Sequence, residues 1–148
     1  KADAIPDSTW KFVDRKQTIV QKGSNNIPVI SDFSLTTENG TDSTDAILNT
    51  AGDYYLLYIK DLENYPKNWN GDVEFINSVL SSGKKIFIVT AQLQQVKNKF
   101  AGLNGNTIFL TCDATVMKTV ARVNPTLYLM NGPVVKNKWS WTDFKNIK

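Results

Sequence analysis

"VARVNPTLYLMNGPVVKNKW", residues 120–139, decides how this chain is read. Thr126 to Met130 is a run of strand-forming residues, and Val134 to Trp139 is a second one. Asn131-Gly132 between them is a dipeptide that tight hairpin turns favour, because both central positions need positive φ. The spacing predicts an antiparallel hairpin led in by Asn124-Pro125-Thr126. An X-Pro bond is the one place where a cis peptide is common, and a cis bond here would turn the chain into its strand.

Upstream, the pattern switches between strand and helix. Tyr54 to Ile59 is a continuous apolar run without alternation, as expected of a strand buried on both faces. Val73, Ile76, Val79 and Leu80 recur at helical spacing, with Asn70 or Asp72 placed to cap that helix and Gly83 to close it. Ile86 to Val89 is a second buried strand. Leu93, Val96 and Phe100 mark a second helix that stops at Gly102, and Thr107 to Leu110 a third strand. Asp113 can cap a helix carrying Val116, Met117 and Val120. Ser140 to Asp143 has the capping-box pattern and predicts a final helix over Thr142 to Ile147. Before all of this, Gln17 to Gln21 alternates weakly as a short strand, and residues 28–35 are extended. Residues 36–45 form a polar stretch with its turn at Asn39-Gly40, and Ser43 or Thr44 can cap a short helix ending at Leu48. Strands alternating with helices imply parallel βαβ units with right-handed crossovers, so an α/β, three-layer architecture with a mixed sheet follows.

Composition narrows the chemistry. The chain has 148 residues, 41% hydrophobic and 21% charged, which suits one globular domain with its own core. A single cysteine excludes an intrachain disulfide and a CxxC pair. The absence of histidine removes the commonest general base near neutral pH and the commonest metal ligand, so His-based triads and zinc sites are excluded and no cofactor is expected. The net charge is +3, but the lysines are scattered and there are only two arginines, Arg15 and Arg122, so no nucleic-acid stripe is present. No run approaches the roughly 20 apolar residues of a membrane span.

The order of elements resembles the thioredoxin-like fold, in particular its TlpA-like and peroxiredoxin-like members. Asp32-Phe33-Ser34-Leu35 is similar to their opening segment. Tyr54 to Ile59 and Ile86 to Val89 match their central strands, and Asn124-Pro125-Thr126 with Gly132-Pro133-Val134 matches their cis-proline hairpin. The resemblance spans residues 27–148 and leaves residues 1–26 as an N-terminal linker or extension. It implies a cis peptide before Pro125. It also implies a CxxC after the first central strand, at the start of its helix. Here that region reads Lys60-Asp-Leu-Glu-Asn-Tyr-Pro-Lys-Asn-Trp69, and by rough placement the thiols would fall near Glu63 and Pro66. Dithiol exchange needs an attacking thiolate and a resolving partner, and the sequence supplies neither there.

A longer resemblance takes in Trp10 to Arg15 and residues 31–40. It is to the C-terminal thioredoxin-like portion of DoxX-family membrane proteins. That likeness implies a periplasmic or other extracytoplasmic domain, tethered to the inner membrane through a region ahead of Lys1.

Candidate site residues follow from these placements. Asp61, Glu63, Tyr65, Pro66 and Trp69 line the loop that replaces the CxxC. Asn124, Pro125 and Thr126 form the facing turn. Together they outline a groove for a protein or peptide partner, with the Asn124 backbone able to pair with an extended ligand. The competing reading is a solvated loop with Trp69 packed inward and a proline that only shapes the chain. Cys112 is a weak catalytic candidate, as the lone thiol of a one-cysteine oxidoreductase or peroxidase beside the helix expected at Asp113. Against that, the Asp113 carboxylate opposes a thiolate, and a buried cysteine behaves as a small hydrophobe. The leading expectation is a redox-inactive interaction or structural module.

Overall fold

The computed structural model describes residues 33–67, 71–103 and 107–147. The expected linker over residues 1–26, the strand at Gln17 to Gln21 and most of the 28–35 segment lie outside the described residues.

Six strands form one sheet in the order β1-β4-β3-β2-β5-β6. They are β1 (Thr36–Thr37), β2 (Asp53–Ile59), β3 (Lys85–Thr90), β4 (Ile108–Thr111), β5 (Thr126–Asn131) and β6 (Val134–Ser140). β2 pairs with β3, and β3 with β4, in parallel, while β1, β5 and β6 each pair antiparallel with their neighbours. The helices α1 (Thr44–Leu48), α2 (Asp72–Ser81), α3 (Leu93–Lys99) and α4 (Ala114–Val120) make the crossovers. The expected three-layer α/β architecture is the one observed.

β2 shows why the sheet is central. Tyr54 to Ile59 are all buried, and alternate residues feed opposite layers. Tyr54, Leu56 and Tyr58 join Phe87, Val89, Leu110, Ile47, Val116 and Met117 on the α1/α4 side. Tyr55, Leu57 and Ile59 join Ile86, Ile88, Ile76, Val79, Val96 and Phe100 on the α2/α3 side. Each such side chain contributes about 1.5–3 kcal/mol when fully buried. The Tyr54 hydroxyl also donates to Gly132 O at 2.8 Å, and Asn131 Nδ2 donates to Asp53 Oδ1 at 2.7 Å, so the hairpin turn is tied to the start of β2. The two-residue hairpin loop is Gly132-Pro133 and not the expected Asn131-Gly132: Asn131 pairs with Val134 as the last residue of β5, and only Gly132 takes the positive φ, +55°, that the turn requires.

Helix ends differ from the sequence reading where a carboxylate competes with a hydroxyl. At α1 the Ser43 side chain makes no cap bond. Asp42 Oδ1 instead accepts from Thr44 N at 2.9 Å and from Thr44 Oγ1 at 2.6 Å. Gly71 occupies the N-cap position of α2, and Asp72 is the buried first residue of that helix rather than its cap; Asn70 is not described. At the C-terminus, Ser140 Oγ donates to Asp143 Oδ2 at 2.6 Å, a side-chain closure in place of the expected backbone cap. The segment Trp141–Asn146 accordingly winds as a 3-10 helix, not an α-helix. At α4 the cap is as expected: Asp113 Oδ1 accepts from Thr115 N and Val116 N.

Candidate functional site

β2 and β3 run parallel, and the chain leaves both at the same end of the sheet. In open α/β sheets the loops beyond these carboxyl ends are where ligands bind. The loop after Ile59, the loop after Thr90 and the Asn124-Pro125 turn ahead of β5 meet there.

Asn124 joins two of them. Its side chain is 8% exposed; Oδ1 accepts from Lys60 N at 2.9 Å and Nδ2 donates to Asp61 O at 2.6 Å. One amide thus satisfies a backbone donor and a backbone acceptor of the facing, partly buried loop. The Asn124–Pro125 peptide is cis, and Pro125 is buried. Thr126 is buried as well and donates its hydroxyl to Val123 O at 2.7 Å. Gln92, beyond β3, adds the third loop, since its Oε1 accepts from Leu62 N at 3.1 Å. Among the described residues no buried side-chain polar atom lacks a partner.

The candidate residues separate under this geometry. Asp61, Asn124, Pro125 and Thr126 come together. Asp61 spends Oδ1 on Asn64 N at 2.7 Å, which rounds the loop. Glu63 is exposed on the tip and Pro66 is half-buried. Tyr65 turns inward instead of lining a groove. It is 7% exposed, its ring meets Phe100 edge-on, and its hydroxyl donates to Asp72 Oδ2 at 3.3 Å. Burial and the Asp72 carboxylate push the Tyr65 phenol well above the usual range. Lys99 completes that cluster, 3.2 Å from Asp72 Oδ2 and 4.6 Å from the Tyr65 ring centroid. Trp69 lies outside the described residues.

The helix after the first central strand begins at Asp72, well past Pro66. The rough placement of the absent thiols at Glu63 and Pro66 is therefore too early, because the loop ahead of α2 is long. The helix start itself holds Gly71, Asp72 and Val73, again without a thiol. A buried carboxylate stands there, its Oδ1 accepting from Val73 N at 2.8 Å, which the positive end of a helix favours.

Cys112 is 6% exposed and packs in the α1/α4 layer. Burial pushes its thiol up to about 11, and the Asp113 carboxylate adds to the effect against a hydrogen bond from the Asp113 backbone. A thiol with that value holds very little thiolate near neutral pH. Among the described residues no three side chains could hold a metal ion, and no helix is long and apolar enough to cross a membrane.

Lys60, Gln92, Arg122 and Lys138 border this end of the sheet and were not singled out by the sequence reading. Lys60 and Gln92 follow the ends of predicted parallel strands, and that position was the available signal.

Comparison with known proteins supports the fold. An exposed lipoprotein thioredoxin of Streptococcus pneumoniae superposes with a TM-score of 0.50 at 12% identity, covering 79% of this chain and 100% of that one. An uncharacterized thioredoxin-like protein from Porphyromonas gingivalis gives 0.53 at 16% identity, covering 73% and 77%. A candidate thiol:disulfide interchange protein DsbE from Chlorobium tepidum gives 0.52 at 14% identity, covering 78% and 86%. At these identities the superpositions show a shared thioredoxin-like fold and nothing finer. A family model described as Domain of unknown function (DUF8463) matches residues 1–22. No curated protein matches the sequence.

Proposed function

We propose that this chain is a thioredoxin-fold domain without dithiol chemistry, which serves as an extracytoplasmic interaction module and takes an extended polypeptide beside Asn124-Pro125. One observation carries the reading. The loops that frame this end of the sheet are fastened by the Asn124 amide, yet no thiol stands at the helix start that faces them. The lone thiol, Cys112, is buried and protonated at neutral pH. The proposed groove runs beside Asn124-Pro125, with Asp61, Glu63 and Pro66 on the facing loop and Thr126 buried next to the proline.

The extracytoplasmic setting rests on the DoxX-like sequence resemblance, under which the domain would be held at a membrane by a preceding region. It agrees with the exposed-lipoprotein description of one structural relative. An insulin-reduction assay with a thioredoxin control tests the reading. The expected result is no turnover above the uncatalysed rate; turnover at the control's rate would end the proposal.

A second reading, a one-cysteine oxidoreductase or peroxidase using Cys112, is favoured only by the start of α4 one residue beyond Asp113. Ellman's reagent separates the two. Reaction of Cys112 only after denaturation removes this reading, and rapid reaction in the native chain revives it.

A further inference from the structure

Three cations converge on the short connector between α4 and β5, beside the groove. Lys60 follows β2, Arg122 lies in the connector, and Lys138 comes from β6. Lys60 Nζ donates to Arg122 O at 2.9 Å. Lys138 Nζ donates to Val120 O at 3.1 Å and sits 4.9 Å from the Tyr128 ring centroid. The two accepting carbonyls are two residues apart, so no more than about 7 Å separates them. Segments distant in sequence thus bring positive charge to one tripeptide, Val120 to Arg122. The ion pairs among the described residues engage Lys97, Lys99 and Lys136, and none of the three connector cations meets a described carboxylate. Within the same connector, Val123 is 42% exposed, one of few large apolar side chains so open.

Capping accounts for part of this arrangement. Lys138 sits on the last carbonyl of α4, where a cation is favoured by the helix dipole. Capping does not account for Lys60, whose acceptor lies two residues past the helix, nor for exposed Arg122 beside an exposed valine.

We propose that the Lys60–Arg122–Lys138 surface, beside exposed Val123, docks an acidic extended peptide through carboxylates carried on one of its faces. The proposal rests on the groove reading above and adds the charge of the partner. In an extended chain, residues i and i+2 project to one side about 7 Å apart, so carboxylates at alternate positions can meet cations held on neighbouring carbonyls. Opposite charge across such a contact sets partner choice and association rate more than affinity.

The test uses the full chain and a fluorescent peptide alternating Glu and Val, with a Gln-for-Glu counterpart, followed by anisotropy at low and high salt. The acidic peptide is expected to bind at least about tenfold more tightly than its counterpart, with the gap closing as salt screens it. A K60Q/R122Q variant is expected to lose about tenfold, as is R122Q alone to a lesser degree, with unchanged circular dichroism. K84Q/K85Q, at the other end of β3, is expected to bind as the parent does. Equal binding of the two peptides, abolished by N124A, would overturn the charge proposal and leave the groove standing. No binding of either peptide would overturn both. Equal losses in K60Q/R122Q and K84Q/K85Q would overturn the placement, and capture by anionic phosphatidylglycerol vesicles without peptide binding would replace the peptide with a membrane surface.

Discussion

Asn124 and Cys112 are buried to nearly the same degree, 8% and 6% exposed, and each lies just outside a strand of the sheet. Their surroundings differ in kind. Asn124 meets a backbone donor and a backbone acceptor and joins two loops. Cys112 meets an apolar layer that withholds the solvation its thiolate needs. Burial with two backbone partners makes a polar side chain a cross-link, while burial among apolar side chains, only partly offset by the Asp113 backbone hydrogen bond, raises the pKa of a thiol.

The comparison breaks most readily at Asn124. Asn124→Ala leaves Lys60 N and Asp61 O without their partner, and urea denaturation is expected to show a loss of about 2 kcal/mol. A loss near zero would mean that water replaces the amide and that the loops are not held by it. Cys112→Ser places a hydroxyl in the apolar layer and is expected to cost about 1 kcal/mol. A neutral outcome would show that the layer is wetter than its packing implies.

Titration sharpens the same contrast. The folded thiol is raised above its ordinary value of 9.0, to about 11. The linked stability is then complete below pH 9 and is lost as pH rises toward 11. Thiolate absorbance of the native chain should appear near pH 11, and an onset near neutrality would restore Cys112 as a reactive candidate. The smallest expected effect lies next door. Hydrogen bonds from Val116 and Thr115 lower the Asp113 carboxyl below 3.8. Its capping contribution is present above that value and is lost as pH falls through the folded pKa. Asp113→Ala should lower the urea midpoint slightly at pH 7, and the difference should vanish in acid; a pH-independent difference would point to packing instead.

The sequence was most legible where burial is two-sided. Tyr54 to Ile59 has no polar interruption, as suits a central strand, and the hairpin was legible from its two apolar runs, although its turn falls one residue later than read, at Gly132-Pro133. It was least legible where the decisive partner is distant. The β1 strand is two residues long, too short for any period, and exists because Thr36 and Thr37 meet Thr111 and Leu110. Tyr65 reads as a loop residue because its neighbours are polar, and only the approach of Phe100 and Asp72 turns it inward. The cap of α1 passed from Ser43 to Asp42 because a carboxylate one residue away accepts two bonds from Thr44.

Composition alone determined what these 148 residues cannot assemble among themselves: with one cysteine and no histidine they form no intrachain dithiol and no histidine-based triad, whatever the fold. Periodicity determined the layers, since the alternation of buried strands and amphipathic helices is a local property of the chain. Tertiary structure alone decided which residues share a site. Lys60, Gln92, Arg122, Asn124 and Lys138 are spread over more than half of the chain, and they border one end of the sheet because the β2-β3-β4 crossovers and the β5-β6 hairpin return their loops there. Hydrogen bonds and charges act through space, and no spacing in the sequence encodes that distance.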